Sequence, residues 1–342
     1  MLHSRPALTS LINGVLQKAG ASPAQSEPTA LALVAAEASG LPSHGLSRVP
    51  MYVAHLKAGR VLGNAVPFIA NQRASAVLID AANGFAFPAC RLAIAEAMER
   101  ARATGIAIAA ITNSHHSGMS SYHLDAVAEA GMVGIACSNS PAAMPAAGGK
   151  RPIFGTNPIA AIFPRSGARR SGARRSGARP ISIDLSLSEV ARGKLMVAAK
   201  KGEQIPLGWA LDADGNPTTD PQKGMEGSML AMGGVKGAML ALIVELLVTT
   251  LTGAHFGAEA DTFFVDQGNQ PRLGQAFIVI DPGALGGTAV YAERIEALIA
   301  AMLVDEGVRL PGQRRFELLS RADAAGGIEV PAATLDAIVA LG

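Results

Sequence analysis

Gly105-Ile106-Ala107-Ile108-Ala109-Ala110-Ile111-Thr112, running into Asn113-Ser114-His115-His116-Ser117-Gly118, decides the fold class. The segment from Ile106 to Thr112 is an apolar run of strand length, bounded by a glycine and a polar turn. Before it, Pro88 to Thr104 reads as a helix that Gly105 stops. Before that helix, Ala76-Val77-Leu78-Ile79-Asp80 reads as a strand ending at the turn Asn83-Gly84. The alternation continues downstream: a helix over 121–130, the strand Val133 to Ser138, and the strands Ile159 to Phe163 and Ile181 to Asp184. A helix over 189–202, the turn Asp212-Ala213-Asp214-Gly215, a buried helix over 236–252 and the strand Ala276 to Asp281 follow. Residues 73–281 therefore form a central α/β domain. Helical patterns fill both ends: 6–39, with starts at Ser22-Pro23 and Ser26-Glu27-Pro28, then 43–59 closed by Gly59, and 291–305 and 333–341. Residues 1–72 and 282–342 are expected to build a second, helical domain.

Composition narrows the function classes. The 342 residues allow two domains, or one large one, and 49% hydrophobic content supports a sizeable core. Aromatics make up only 4%, which argues against a stacking platform for bases. Cys90 and Cys137 make neither a disulfide framework nor a metal site and fit a reducing cytosol. Met1 to Ser10 lacks the apolar core of a signal peptide. The longest apolar stretch, Ala238 to Leu251, contains Glu245 and is too short to span a bilayer. A cytoplasmic protein without membrane contact is expected. The net charge is +2, yet Arg165 to Arg179 repeats Arg-Ser-Gly-Ala-Arg three times in tandem. That block carries six arginines and no acid, leaving −4 on the remainder. Short, isolated and free of interleaved aromatics, it reads as an expansion in a solvated turn between two strands, not as a nucleic-acid patch.

Several clusters could carry chemistry. Pro42-Ser43-His44-Gly45-Leu46-Ser47-Arg48 leads to Tyr52. On one helix, His44, Arg48 and Tyr52 would share a face. An imidazole passes protons near neutral pH, and a guanidinium grips a carboxylate with two hydrogen bonds. The pair suggests acid–base work on a small carboxylic acid. Asn113 to Gly118 follows a strand end, where ligands bind in α/β folds; of its two histidines, His116 is the one expected to face a ligand. Metal spacing is lacking. Gly155-Thr156-Asn157-Pro158 offers hydrogen bonds for a polar ligand. Asp184-Leu185-Ser186 could hold a ribose or cap the following helix. Gly233-Gly234-Val235-Lys236-Gly237 makes a phosphate seat without full P-loop spacing, and no Gly-x-Gly-x-x-Gly occurs.

Taken in order, these motifs resemble the malate/L-lactate/L-sulfolactate dehydrogenase family, which also includes Δ1-piperideine-2-carboxylate and Δ1-pyrroline-2-carboxylate reductases and ureidoglycolate dehydrogenases. The resemblance runs from Leu41 to Asp281, through Ile205-Pro206-Leu207-Gly208-Trp209-Ala210 and Pro217-Thr218-Thr219-Asp220-Pro221, and is echoed at Leu310-Pro311-Gly312-Gln313-Arg314-Arg315. It implies a three-layer α/β fold with a mixed, largely antiparallel sheet of about seven strands and no Rossmann topology. It also implies a homodimer and a bound NAD(P)H. By resemblance His44 is the proton donor, supported by Ser43. Arg48 clamps the substrate carboxylate and Thr156 contacts substrate; Tyr52, read on the same face as His44 and Arg48, is a further expected substrate-binding residue. His116, Ser117, Gly118, Met119 and Ser120, then Ser182, Ile183 and Asp184, then Lys236 and Leu310, Pro311, Gly312, Gln313, Arg314 and Arg315 line the cofactor. No metal is implied.

The expected activity is hydride transfer between the nicotinamide cofactor and a small 2-oxo or 2-hydroxy acid. The second reading is reduction of the cyclic imines Δ1-pyrroline-2-carboxylate or Δ1-piperideine-2-carboxylate. Where the imine-reducing branch carries His-Gly-Asp, this chain has Arg192-Gly193-Lys194, closer to the hydroxy-acid branch. The residues also admit two readings from other classes: a metal-dependent hydrolase built on His115, His116 and His123, and a nucleic-acid binder led by the arginine repeat.

Overall fold

A computed structural model describes residues 2–165 and 178–342. Most of the arginine repeat, residues 166–177, lies outside the described residues. Seven strands form the main sheet: β1 (Phe68–Arg73), β2 (Ala76–Asp80), β3 (Ile106–Ser114), β4 (Val133–Ser138), β5 (Ile159–Phe163), β6 (Ile181–Leu185) and β7 (Leu273–Ile280). Their spatial order is β1-β2-β3-β7-β4-β5-β6. Only β2 and β3 run parallel, joined by a helix, as a parallel pair requires. Every other neighbouring pair is antiparallel. This is the mixed, largely antiparallel sheet expected, and its topology is not the parallel one of a dinucleotide-binding Rossmann domain.

The helices are α1 (Arg5–Lys18), α2 (Pro23–Ala38), α3 (Val49–Lys57), α4 (Ala86–Thr104), α5 (Ser120–Glu129), α6 (Arg192–Lys201), α7 (Pro221–Glu226), α8 (Val235–Glu245), α9 (Thr288–Met302), α10 (Gln313–Ala325) and α11 (Ala332–Val339). In α4 the residues Ala89, Cys90, Ala93, Ile94, Ala97 and Ala101 recur at helical spacing and are buried. Their small side chains let the helix lie close on the sheet, against Ile79, Ala109, Ile111 and Phe277. Gly105 then turns the chain out of α4 with φ 84°. On the opposite face, Ala241, Val244 and Val248 pack with Ala276, Cys137 and Leu195. A third cluster joins both chain ends: Ile12 and Leu16 of α1, Leu33 of α2, Tyr52 of α3, Phe316 of α10 and Ile338 of α11.

Three local expectations are corrected. The stretch 43–59 is not one helix. Two 3₁₀ turns, Pro42–His44 and Leu46–Arg48, precede α3. The break falls at Gly45, where an added Cβ would lie 2.3 Å from Glu37 Oε2 and 3.0 Å from the Glu37 backbone nitrogen. Secondly, Ser26-Glu27-Pro28 does not start a helix; α2 begins at Pro23 and runs through Pro28. Thirdly, the apolar helix near 236–252 is not buried all round. It continues from α8 into a π-helical turn, Leu246–Thr250. Its outer stripe of Met239, Leu240, Ile243 and Leu246 is 42%, 40%, 52% and 46% exposed. No helix is long and apolar enough to cross a membrane among the described residues.

Candidate active site

The turn between α2 and α3 presents the first group of side chains. Glu37, near the end of α2, accepts the backbone N–H of Leu46 at 2.9 Å, and Gly45 leaves room for that carboxylate. Burial raises the Glu37 pKa, and the Leu46 hydrogen bond opposes the rise. Within the turn, Ser43 Oγ stands 3.1 Å from His44 Nδ1. Arg48 Nε donates to the Ser43 carbonyl at 2.6 Å. Serine, histidine and arginine are thus locked into one small unit. Burial, then the Arg48 charge, lowers the His44 pKa to about 4. Its imidazole is therefore neutral at pH 7.

The sheet supplies the facing wall. His44 stacks on His116, with ring centroids 5.5 Å apart at 27°. His116 Nδ1 lies 2.7 Å from Tyr52 Oη. Tyr52 is fully buried, and burial pushes its phenol pKa up, so the hydroxyl can donate to that nitrogen. The expected site residues His44, Ser43, Arg48, Tyr52 and His116 therefore do come together. Tyr52, however, spends its hydroxyl on His116 instead of pointing it at open space. Phe263 packs 5.3 Å from His116, and Phe264 lies under Arg48 at 5.8 Å. Neither phenylalanine was singled out from sequence. Two adjacent aromatics in a polar loop of an aromatic-poor chain were the available signal.

A second group gathers around β6. Asp184 Oδ2 accepts the backbone N–H of Ser121 at 2.8 Å. It does cap a helix, but α5, not the one that follows it in sequence. Burial raises its pKa against that hydrogen bond and the Arg315 charge. Pro311 O accepts from the Ser182 N–H at 3.2 Å, and Arg315 Nη1 donates to Ser182 Oγ at 3.3 Å. Arg315 also pairs with Asp125. Gly312 has φ 84°, and a Cβ there would sit 2.8 Å from Ser182 Cβ. Met119 and Ser120, which open α5, are buried beside this group, and Ser117 O engages His123 Nε2 at 2.7 Å. Arg315 Nε is buried without a partner. A carboxylate able to accept from a diol, an unspent guanidinium N–H and closely approaching backbone suit a ribose and phosphate. The residues present fit a dinucleotide.

Two expected residues stand apart. Lys236 is exposed at the start of α8, where Glu189 Oε2 accepts from the Gly233 N–H at 3.3 Å. Thr156 lies in the turn before β5, with its N–H on Ser140 Oγ at 3.1 Å and its carbonyl accepting from Leu187. Among the described residues no hydrogen bond joins either to His44 or to Asp184. That turn is anchored by Glu245, which accepts from Asn157 Nδ2 at 2.6 Å, Asn139 Nδ2 at 3.2 Å and the Gly257 N–H at 2.8 Å. The carboxylate that interrupts the longest apolar run is thus a buried hub. His115, His116 and His123 face different partners, His115 Nε2 meeting His55 Nδ1 at 2.9 Å. Among the described residues no group of three metal-ligating side chains gathers.

The chain is similar along nearly its whole length to known proteins. Residues 4–339 match the family described as malate/L-lactate dehydrogenase. A (2R)-3-sulfolactate dehydrogenase (NADP(+)) of Chromohalobacter salexigens is 45% identical over 98% of this chain and 96% of its own. A Δ1-pyrroline-2-carboxylate/Δ1-piperideine-2-carboxylate reductase of Pseudomonas putida is 38% identical over 90% and 88%. The crystal structure of Δ1-piperideine-2-carboxylate reductase from Pseudomonas syringae superposes with a TM-score of 0.91 at 36% identity, covering all of both chains. A family match over nearly the whole length and relatives of this identity show that the chain belongs to the malate/L-lactate dehydrogenase family of oxidoreductases.

Proposed function

We propose that this protein is an NAD(P)-dependent dehydrogenase that interconverts small 2-oxo and 2-hydroxy acids. The observation that carries the reading is the His44–Arg48 unit, locked through Ser43 and stacked on His116 at the end of β3. Arg48 binds the substrate carboxylate and so fixes the position of C2. His44 gives a proton to the C2 oxygen during reduction and takes it back during oxidation. Ser43 holds the His44 ring, and Tyr52 holds His116. Ser117 to Ser120, Ser182 to Asp184 and Leu310 to Arg315 hold the dinucleotide, with Lys236 and Thr156 reaching the ligands from the α8 side. The bound nicotinamide supplies or receives the hydride.

Reduction of cyclic imines is the second reading, and it has support in the named activity of the Pseudomonas relatives. Against it stands Lys194, whose Nζ lies 5.7 Å over Trp209 where an acidic partner would be wanted. A steady-state screen decides between them. Pyruvate, oxaloacetate and sulfopyruvate are set against the two cyclic imines, each with NADH and NADPH. A 2-oxo acid is expected to show the higher kcat/KM; the imines taking that place would overturn the assignment.

The same reading places residues 1–72 and 282–342 together as the unit that carries the proton donor, and 73–281 as the cofactor unit. It also makes the protein a homodimer. The exposed stripe Met239, Leu240, Ile243 and Leu246 is an apolar face that a second copy covers. Sedimentation at micromolar concentration is expected to show a dimer, and Ile243→Glu to shift it to monomer. Buried thiols at Cys90 and Cys137 fit a cytosolic setting.

A further inference from the structure

Arg60 is the largest fully buried side chain among the described residues, 1% exposed, and it forms no ion pair there. Burial lowers its pKa, and the charges of Asp261 and Asp266 oppose the fall. A guanidinium withdrawn from water is costly unless its N–H groups find acceptors. Here all three nitrogens donate into one loop. Nε reaches the Asn269 carbonyl at 3.0 Å, Nη1 reaches Thr262 O at 3.1 Å and also Val265 O, and Nη2 reaches Asp261 O at 2.9 Å. The loop closes on itself at its neck. Asp261 N–H donates to Asn269 Oδ1 at 3.0 Å, and Asn269 N–H to Asp261 Oδ2 at 2.7 Å. Residues 261–269 hold neither helix nor strand, so their inward carbonyls need donors from elsewhere. An apolar side chain in place of Arg60 would leave those carbonyls unpaired. A lysine would bring a single ammonium where the planar fork brings three nitrogens. Gly59, with φ 72°, ends α3 and turns Arg60 toward the loop, the Arg60 N–H closing on His55 O at 2.9 Å.

The loop carries two aromatic rings into the candidate site. Phe263 is buried, its ring 5.2 Å from His115 and 5.3 Å from His116. Phe264 bears Arg48 Cζ at 5.8 Å and Arg192 Cζ at 5.4 Å. The Ser43 carbonyl fixes only the Nε edge of Arg48. The ring beneath decides where the rest of the guanidinium lies. We infer that Arg60 is a positioning residue: by filling the loop 261–269 it holds the Phe264 ring under Arg48 and keeps the substrate-carboxylate clamp aimed. The inference rests on the reading of Arg48 as that clamp. Among the described residues no hydrogen bond joins the loop to Ser182, Asp184 or Arg315, so the effect is confined to the acid and spares the nucleotide.

Steady-state kinetics and calorimetry on Arg60→Lys, Phe264→Leu and the double variant test it, with thermal melts confirming folded protein. Arg60→Lys is expected to raise KM for the best-turned-over 2-oxo acid about 3- to 30-fold, the range that a lost cation–π contact spans. Its kcat and its KM for NAD(P)H are expected to stay within about threefold of wild type. A purely structural role would lower the melting temperature and the active fraction, and so kcat, while leaving KM for the acid alone. Phe264→Leu is expected to raise the same KM. In that background Arg60→Lys is expected to add less than about twofold, because the two residues act in series. Asn269→Ala opens the neck of the loop at an exposed position and is expected to shift KM in the same direction; it replaces Arg60→Lys in the cycle if that variant does not fold. Calorimetric binding of oxamate, which needs no turnover, is expected to weaken in step with KM. An unchanged KM for the acid, or effects that multiply in the double variant, overturns the inference and leaves the dehydrogenase reading intact. Weakened oxamate binding in the variants of a protein that turns over no 2-oxo acid overturns the dehydrogenase reading and upholds the role of Arg60.

Discussion

Replacing His44 by glutamine is expected to lower kcat about 10²–10⁴-fold, the usual loss when a positioned proton donor is removed. Glutamine keeps a polar group of similar reach but has no titrating proton. Arg48 takes its bearings from the Ser43 carbonyl, not from the imidazole, so KM is expected to change far less than kcat. The pH profile carries a second signature. With its pKa lowered to about 4 by burial and by Arg48, His44 is already the neutral base that 2-hydroxy acid oxidation needs. The acid limb of kcat/KM for oxidation is therefore expected nearer pH 4 than the 6.5 of free imidazole. A substrate carboxylate on Arg48 cancels part of that push, which makes protonated His44 easier to reach for reduction. Steady-state rates for wild type and His44→Gln from pH 4 to 9 check both. Turnover within threefold of wild type would remove His44 from the proton path.

Stability is expected to fall steeply as pH drops from about 6.5 to 4.5. His55, His115 and His123 are almost wholly buried. Burial lowers His55 and His123 to about 4 and takes His115 well below its ordinary value; His44 and His116 shift the same way. For each, the folded pKa lies below the unfolded one. The unfolded chain therefore binds more protons in this window, and stability present above pH 6.5 is lost as pH falls toward 4. One such group contributes up to about 1.4 kcal/mol per pH unit. Glu37 and Glu245 oppose the trend, because burial raises their pKa values and the folded state takes up protons first. Histidines outnumber these carboxylates, and a net loss of about 1–3 kcal/mol per pH unit is expected. Urea midpoints at pH 7.0, 6.0 and 5.0 measure it. A midpoint that holds steady or rises on acidification would mean that those rings are protonated inside the fold.

Much of this was legible in the chain because the deciding signals are local. Val133 to Ser138 and Ile159 to Phe163 form strands with the bounds read from sequence, since each is an apolar run closed by turn residues. His44 and Arg48 do lie in one turn, but the single helix expected to align them is absent; the Ser43 carbonyl holds Arg48 instead. The rest depends on partners far away in sequence. Nothing near Gly45 announces that Glu37 will sit against it and break the helix. Tyr52 looked ligand-facing, and its partner His116 is 64 residues on. From Gly237 to Val244 the α8 sequence is apolar on both faces, and such a pattern does not say whether the covering surface is this chain or another. Arg192 and Arg48 are far apart in sequence and come together over Phe264, which neither motif announces.

The hairpin of β5 and β6 has a consequence for how this gene can change. Its ladder runs without a bulge from Ile159 opposite Leu185 to Phe163 opposite Ile181, and Ala160, Ile162 and Ser182 within it are buried. Alignment of the two strands is thus set by their own rungs, whatever connects them. Replication slippage that adds or deletes whole Arg-Ser-Gly-Ala-Arg units between them lengthens or shortens the connection without sliding one strand past the other. The same junction is where a reporter peptide can be spliced into the enzyme at least cost to its framework.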